Sequence, residues 1–272
     1  MTDILAPALP SLRQARLARM LRDMAEGSPL LTRHALAMAA GFLICLALPL
    51  VDDRLFNGIN VWHKPAKFFL SLSVHMATLA WALSLIPRQE RNAPLIRWST
   101  AVFITAAWLE MAYITLRAAR AEASHFNTDS AFNQVLYSLM GLGSLSLTIA
   151  TGLIGFVLWW RRGSDVWCEA AGLGLMLGAV LGTVTGLALG SGTSHWIGGD
   201  QTDATGLPLF FWSTTGGDLR VAHFIGLHAM QLVPLAALTG RRGLIYGMAG
   251  AVLALTIVAF VQAQMGIPLL RA

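Results

Sequence analysis

The stretch "GLMLGAVLGTVTGLALG", residues 174–190, decides the fold class of this chain. It contains no charged residue, and a glycine recurs at every fourth position, so that all of these glycines share one face of a helix. In membranes, such a repeated small residue lets a neighbouring helix approach closely. The stretch therefore predicts a membrane-spanning helix that packs a helix of this chain or of a second copy through Gly174, Gly178, Gly182, Gly186 and Gly190.

The composition extends this prediction to the whole chain. Of the 272 residues, 56% are hydrophobic and 12% are charged, which is about half the charged fraction of roughly 25% found in soluble domains. An all-α polytopic membrane protein is therefore predicted, with a single bundle over residues 34–272. Its apolar runs predict about seven transmembrane helices, at residues 35–52, 65–86, 96–117, 131–160, 167–190, 219–239 and 243–263.

The N-terminal segment, residues 1–33, has a different pattern. Basic and apolar residues alternate there at helical spacing, which is typical of an amphipathic helix lying on a membrane surface. The basic set is Arg13, Arg16, Arg19 and Arg22, and the apolar set is Leu12, Leu17, Leu21 and Met24.

The basic residues also predict an orientation. Twelve of the nineteen fall in segments that share one side if the N-terminus is cytoplasmic, which places the C-terminus outside. We expect a multi-pass protein of a bacterial inner membrane, with the lipid bilayer as its partner. The net charge of +5 is spread over short loops, which argues against a nucleic-acid partner. Neither Cys45 nor Cys168 has the spacing of a metal ligand.

Three ionisable residues are expected deep inside the bundle. With a helical rise of about 1.5 Å per residue, His75, Glu110 and His228 each lie roughly 10 to 15 Å from the outer ends of their helices. An ionisable group at such a depth normally faces the bundle interior or a wet cavity, because facing lipid is costly. The predicted floor of an outward-facing polar site is His75, Glu110, His223, His228 and Gln231.

Basic residues are predicted to surround the mouth of the same site. They lie within a turn or two of the outer ends of their helices, on the side that the orientation rule leaves poor in positive charge. This placement favours a small anionic ligand. The predicted rim is Lys64, Lys67, Arg117, Arg120 and Arg220.

Three hypotheses follow for the function. The preferred one is a redox protein that binds haem or a quinone, in which His75 and His228 ligate haem b and the basic rim holds its propionates. The second is an intramembrane hydrolase in which His75, His223 and His228, with Glu110, hold zinc or iron and leave a position for water. The third is a transporter or sensor of a small anionic solute.

Two resemblances accompany these patterns. The segments "KPAKFFLS", "EMAYITLRAARAEASHFN" and "WSTTGGDLRVAHFIGLHAMQLVPL" resemble those of a group of bacterial polytopic membrane proteins, over spans two to six. This resemblance implies a multi-span bundle and no particular activity. "SLSVH" and "HFIGLH" faintly resemble the zinc-binding segments of the seven-helix ceramidase and adiponectin-receptor group. The chain departs from that group because His223 and His228 are five residues apart instead of four.

Overall fold

The computed structural model of the protein describes residues 12–271, except for the side chains of residues 12–18 and 20. It confirms an all-α protein, because the only strands in this part of the chain are four strands of two residues each. The helices are α1 Leu12–Gly27, α2 Pro29–Ala47, α3 His63–Ser84, α4 Pro94–Ala119, α5 Ala131–Arg161, α6 Val166–Gly190, α7 Leu219–Leu227, α8 Ala229–Leu235 and α9 Arg242–Gln264.

Six of these helices, α2 to α6 and α9, are long and apolar enough to cross a membrane. The bent pair formed by α7 and the segment Ala229–Thr239 would supply a seventh span if it is counted as one. Many large apolar side chains on the outer surfaces of the helices are exposed, as expected where a bundle faces lipid. The structure therefore supports a membrane protein built from a helix bundle.

The N-terminal helix α1 packs against α3. Gly27 is in such close contact with α3 that an added Cβ would lie 2.0 Å from the carbonyl oxygen of Ala80. The next helix begins at Pro29, and the Ser28 hydroxyl caps it by accepting a hydrogen bond from the Leu31 amide at 3.3 Å. The side chains of Leu12, Arg13, Arg16 and Leu17, on which the prediction of an amphipathic helix partly rests, lie outside the described residues.

The glycine face of α6 packs against α7 and α8 of the same chain. A Cβ added to Gly174 would lie 2.9 Å from the carbonyl oxygen of Ala229, and one added to Gly178 would lie 3.1 Å from that of Leu227. At Gly186 the nearest atom would belong to His223, at 3.2 Å. The close packing that the sequence predicts is thus made within the chain, and the packing of a second copy through these glycines stays a prediction.

The seventh candidate span is broken near its middle. Helix α7 ends at Leu227 and α8 begins at Ala229, and the two axes differ by 45°. Pro234 inside α8 lacks the amide that would continue the helical hydrogen bonds, and α8 passes into a 3-10 turn that ends at Gly240, whose φ is +66°. His228 therefore stands at a break in the helix.

Long connections fold over one end of the bundle, here called the loop end. A hairpin of β1 (Leu55–Phe56) and β2 (Ile59–Asn60) lies there beside residues 191–218, which we call the lid. Within the lid, β3 (Trp196–Ile197) pairs with β4 (Gly217–Asp218). The Asn57 carbonyl accepts a 3.0 Å hydrogen bond from the Asp203 amide, so the hairpin and the lid are joined.

We expect Gly174→Leu to destabilise the bundle, because a side chain at this position would push against the backbone of α8. Overpacking of this kind costs about 1–3 kcal/mol or more. Gly247→Leu in α9 is the matched control, since nothing lies within 4 Å of a Cβ at that position. Thermal unfolding in detergent, followed by size-exclusion chromatography, compares the two. An equal melting temperature for both variants would contradict the proposed role of the glycine face.

Candidate functional site

Helix α3 is joined to the lid and to the pair α7–α8 by side-chain contacts along one side of the bundle. Two side-chain bridges mark the ends of this region: Lys67 Nζ donates to the Phe210 carbonyl at 3.2 Å, and Gln231 Nε2 donates to Thr78 Oγ1 at 3.0 Å. From the helical rise, Lys67 and Thr78 are about 16 Å apart along α3. Between the bridges, Ser71 is exposed and the other groove residues are half-buried. We call this the lateral groove, lined by Ser71, His75, Phe224 and His228.

His228 lies in the lateral groove with one ring nitrogen already bonded. Its Nδ1 is 2.7 Å from the Phe224 carbonyl oxygen. A carbonyl only accepts hydrogen bonds, so Nδ1 carries the proton and donates it, and Nε2 keeps a lone pair. The ring also packs on Phe224, with ring centroids 3.9 Å apart. The imidazole is therefore held in one orientation and one tautomer.

His75 reaches a comparable state through a threonine. Its Nε2 is 2.8 Å from Thr151 Oγ1, and this hydroxyl donates its own hydrogen to the Leu147 carbonyl at 2.8 Å. The hydroxyl must therefore accept from the imidazole, which leaves the lone pair on His75 Nδ1. The ring of Phe103 from α4 packs edge-on against His75, with centroids 4.6 Å apart.

His223, five residues before His228, also bonds a threonine hydroxyl. Its Nδ1 is 3.0 Å from Thr185 Oγ1, which donates to the Leu181 carbonyl at 2.6 Å. Nδ1 is therefore the donor and Nε2 keeps the lone pair. Within the described residues, the second nitrogens of His75 and His228 have no hydrogen-bond partner, whereas His223 also has a backbone hydrogen bond to Gly182. His228 lies close enough to His75 and His223 to interact electrostatically with both.

Glu110 is buried elsewhere. Its carboxylate contacts α5, where a Cβ added to Gly143 would lie 2.5 Å from Oε1. Glu110 is seven residues from Phe103 on α4, a distance of about 10 Å along the helix, and Phe103 is the residue that contacts His75. The structure therefore separates Glu110 from the histidines with which the sequence grouped it. Gln231 lies at the end of the lateral groove marked by its hydrogen bond to Thr78.

The five predicted rim residues divide into two groups. Arg117 pairs with Glu122 and donates to the Asn133 side chain, and Arg120 pairs with the same glutamate at 2.7 Å. These two arginines share one carboxylate at the end of α4. The others, Lys64, Lys67 and Arg220, lie together beneath the lid.

Arg220 ties the lid to the start of α7. It forms ion pairs with Asp218 at 2.7 Å and with Asp203 at 2.9 Å, and it donates to the Phe211 carbonyl at 2.6 Å. Asp218 caps α7 through a hydrogen bond from the Arg220 amide and also accepts from the Ser213 amide, while its side chain is 1% exposed. Arg220 is therefore a buried structural cation as well as a rim residue.

Two histidines beneath the lid were not among the predicted site residues. Burial, followed by the nearby Arg220 and Lys64, lowers the pKa of His195 to about 2. Burial and Lys64 hold the pKa of His125 well below its usual value. Both imidazoles are therefore neutral at physiological pH. The sequence offered one signal for these histidines, namely that His195 lies in the long loop and His125 in the neighbouring one. It could not show that the two loops lie close together.

Two further results concern the identity of the site. Within residues 12–271, no three His, Cys, Asp or Glu side chains converge to form a group that could hold a metal ion. Comparison with protein-family models, curated proteins and solved structures finds no match. The geometry of the side chains therefore has to carry the functional argument.

We expect Arg220→Gln to destabilise the protein strongly, because it leaves two buried carboxylates without a cation. Breaking a buried pair in this way costs about 3–5 kcal/mol. The control is Arg54→Gln, which removes an ion pair to Asp52 at the same end, in which the Arg54 side chain is 49% exposed. Surface pairs contribute about 0–1 kcal/mol. Similar losses of thermal stability in the two variants would refute the structural role of Arg220.

Proposed function

We propose that this protein binds a quinone-type redox ligand in the lateral groove and that it prefers the reduced quinol form. The observation that supports this is the shared state of His75 and His228, each of which has one bonded ring nitrogen and offers a lone pair on the other. A quinol hydroxyl donates a hydrogen bond, whereas a quinone carbonyl only accepts one. The imidazoles are therefore complementary to the quinol.

The surroundings of the imidazoles fit an aromatic, lipid-soluble ligand. Leu70, Ser71 and Val74 on the same helix as His75 are exposed, so a ligand dissolved in the bilayer would approach the lateral groove from this side. The rings of Phe103 and Phe224 pack against the histidines and offer apolar contacts for a planar headgroup.

A neutral imidazole can also accept a proton from the hydroxyl of a bound quinol. His228 suits this role because its second nitrogen is held by the Phe224 carbonyl, which would stabilise the imidazolium after proton transfer. The chemistry that the chain supplies is thus binding, orientation and acceptance of a proton.

Haem b fits the arrangement less well. Haem ligation by His75 and His228 requires an accessible nitrogen on each ring. His75 uses Nε2 to bond Thr151, so its lone pair is on Nδ1. Nδ1 lies next to the ring carbon that carries Cβ, and a porphyrin bound there would clash with the backbone of His75 itself. Phe103 and Phe224 occupy ring faces that a porphyrin edge would need. We therefore derive no step through haem.

A metal-dependent hydrolase draws less support from the geometry. The carboxylate of Glu110 contacts α5 near Gly143 and does not join the histidines. Zinc or iron bound by His75, His223 and His228 stays a prediction.

We expect a short-chain benzoquinol to bind the purified protein about tenfold more tightly than the matching benzoquinone, equivalent to about 1.4 kcal/mol. This difference corresponds to one or two hydrogen bonds of about 1 kcal/mol each. It should also raise the midpoint potential of the bound couple by about 30 mV. Equilibrium dialysis under anaerobic conditions measures both affinities. Equal binding, or tighter binding of the quinone, would contradict the proposal.

His75→Phe and His228→Phe should each remove most of this preference, since each deletes a hydrogen-bond acceptor. His34→Phe is the control, because His34 lies on α2 and its Nδ1 accepts from Trp108 at 2.9 Å, outside the lateral groove. Size-exclusion profiles verify that all three variants fold.

We also propose seven spans, with α7 and α8 forming one broken span, a cytoplasmic N-terminus and an outward-facing loop end, in a bacterial inner membrane. The positions of the arginines support this orientation, because they collect at the end opposite the lid. In the described loops and helix ends they are Arg88, Arg91, Arg97, Arg161, Arg162, Arg241 and Arg242.

Cysteine labelling in intact cells tests the orientation. The native Cys45 and Cys168 are buried and should stay unlabelled. An impermeant maleimide should label Gln201→Cys in the lid, whereas Gln89→Cys at the opposite end should react only after permeabilisation. Both positions are exposed in the folded protein, so accessibility to the reagent is matched. The reverse pattern would show that the bundle is inserted the other way.

A further inference from the structure

The chain contains only two lysines, and they lie three residues apart at the start of α3. The other seventeen basic residues are arginines. Lys64 and Lys67 occupy neighbouring positions on one helix face, beneath the lid, where two ammonium groups repel each other. Such a pair needs a compensating negative charge.

The lid does not supply that charge. In the described part of the chain, Lys67 donates only to the Phe210 carbonyl, and Lys64 has no hydrogen-bond partner. The two nearby carboxylates, Asp203 and Asp218, are both engaged by Arg220. Three cations and two carboxylates leave a formal charge of +1 beneath the lid. The neutral His125 and His195 do not change this sum.

Polar groups around the lysines also lack partners. Among the described residues, Trp196 Nε1, His195 Nε2 and His63 Nδ1 are buried without a hydrogen-bond partner. The rings of His195 and Trp196 pack together at 3.9 Å, and the Arg220 guanidinium lies 5.9 Å from the Trp196 ring. The indole N–H is a donor only, so an acceptor is missing beside the uncompensated cations.

The lid segment that covers the lysines has an unusual backbone. Leu209 and Phe211 have φ angles of +73° and +57°, a region that bulky residues rarely adopt. Lys67 holds this segment through the Phe210 carbonyl and lies 4.7 Å from the centre of the Phe211 ring. Strained backbone of this kind is characteristic of segments that clamp a ligand.

We propose that a small monoanion of the carboxylate class binds beneath the lid, between the Lys64 and Lys67 ammonium groups, and accepts a hydrogen bond from the Trp196 indole. A single negative charge neutralises the formal +1 of the cluster. The site shares no ligand-binding residue with the lateral groove, so either proposal can fail without the other.

The two lysines allow a direct test on the unmodified protein. An amine-acylating reagent labels both, and peptide mass spectrometry follows each rate, with a lysine-containing free peptide in the same sample as internal control. Sodium acetate should slow acylation of Lys64 and Lys67 by the factor 1 + [acetate]/Kd, without slowing that of the peptide. Sodium chloride at equal ionic strength should not do so, and succinate, a dianion, should protect more weakly at equal concentration.

Absence of protection by acetate, equal protection by chloride, or stronger protection by succinate would each overturn the proposal. Lys64→Gln should abolish the protection of Lys67, because one of the two cations is lost. Arg120→Gln is the matched control: it removes a positive charge at the same end, from a side chain that is 63% exposed and paired with Glu122. Protection of Lys67 should persist in this control, and its loss there would indicate a nonspecific electrostatic effect.

Discussion

The close contact between the glycine face of α6 and the pair α7–α8 is the constraint on which the site depends. Gly174 and Gly178 bring the backbone of α6 against the carbonyls of Ala229 and Leu227, on either side of the break at His228. In a membrane, where lipid is as apolar as a leucine side chain, such contact is a main source of helix association. The same contact sets the distance from Thr185 on α6 to His223 on α7, and with it the orientation of that imidazole.

Threonine hydroxyls then determine the chemistry of the histidines. A charged imidazole inside a membrane is costly, whereas a neutral one is tolerated if its N–H is bonded. Thr151 and Thr185 donate their own hydrogens to backbone carbonyls of their own helices, so they can only accept from His75 and His223. The backbone carbonyl therefore orients the threonine hydroxyl, and the hydroxyl in turn determines which imidazole nitrogen keeps its lone pair. His75 and His228 each have one bonded nitrogen and one that is free to accept a hydrogen bond.

Much of the fold was predictable from the sequence, because membrane helices are encoded by long apolar runs and a packing face by periodic glycines. The break at His228 was not, since the run from 219 to 239 is continuous in hydropathy and Pro234 lies six residues beyond it. Matched helical depth predicted His75, Glu110 and His228 in one layer. It could not predict that the Glu110 carboxylate contacts α5 near Gly143, because depth says nothing about which neighbouring helix a side chain faces. The pairing of Arg220 with Asp203 depends on how a loop of 28 residues folds, and no periodicity encodes that.

The charged residues and the histidines of the lateral groove lie at different positions along the axis of the bundle, and aromatic residues of the lid lie between them. The ion pairs of Arg220 and the two lysines lie at the loop end, where the polar environment lowers the cost of charge, and the histidines farther along the helices are neutral. Phe210 belongs to both layers: its carbonyl accepts from Lys67, and its ring packs on Phe224 with centroids 5.2 Å apart. Phe224 in turn packs on His228. The lysine pair and the lateral groove are thus connected by three consecutive contacts through one residue of the lid, so a displacement of this segment would change the surroundings of both.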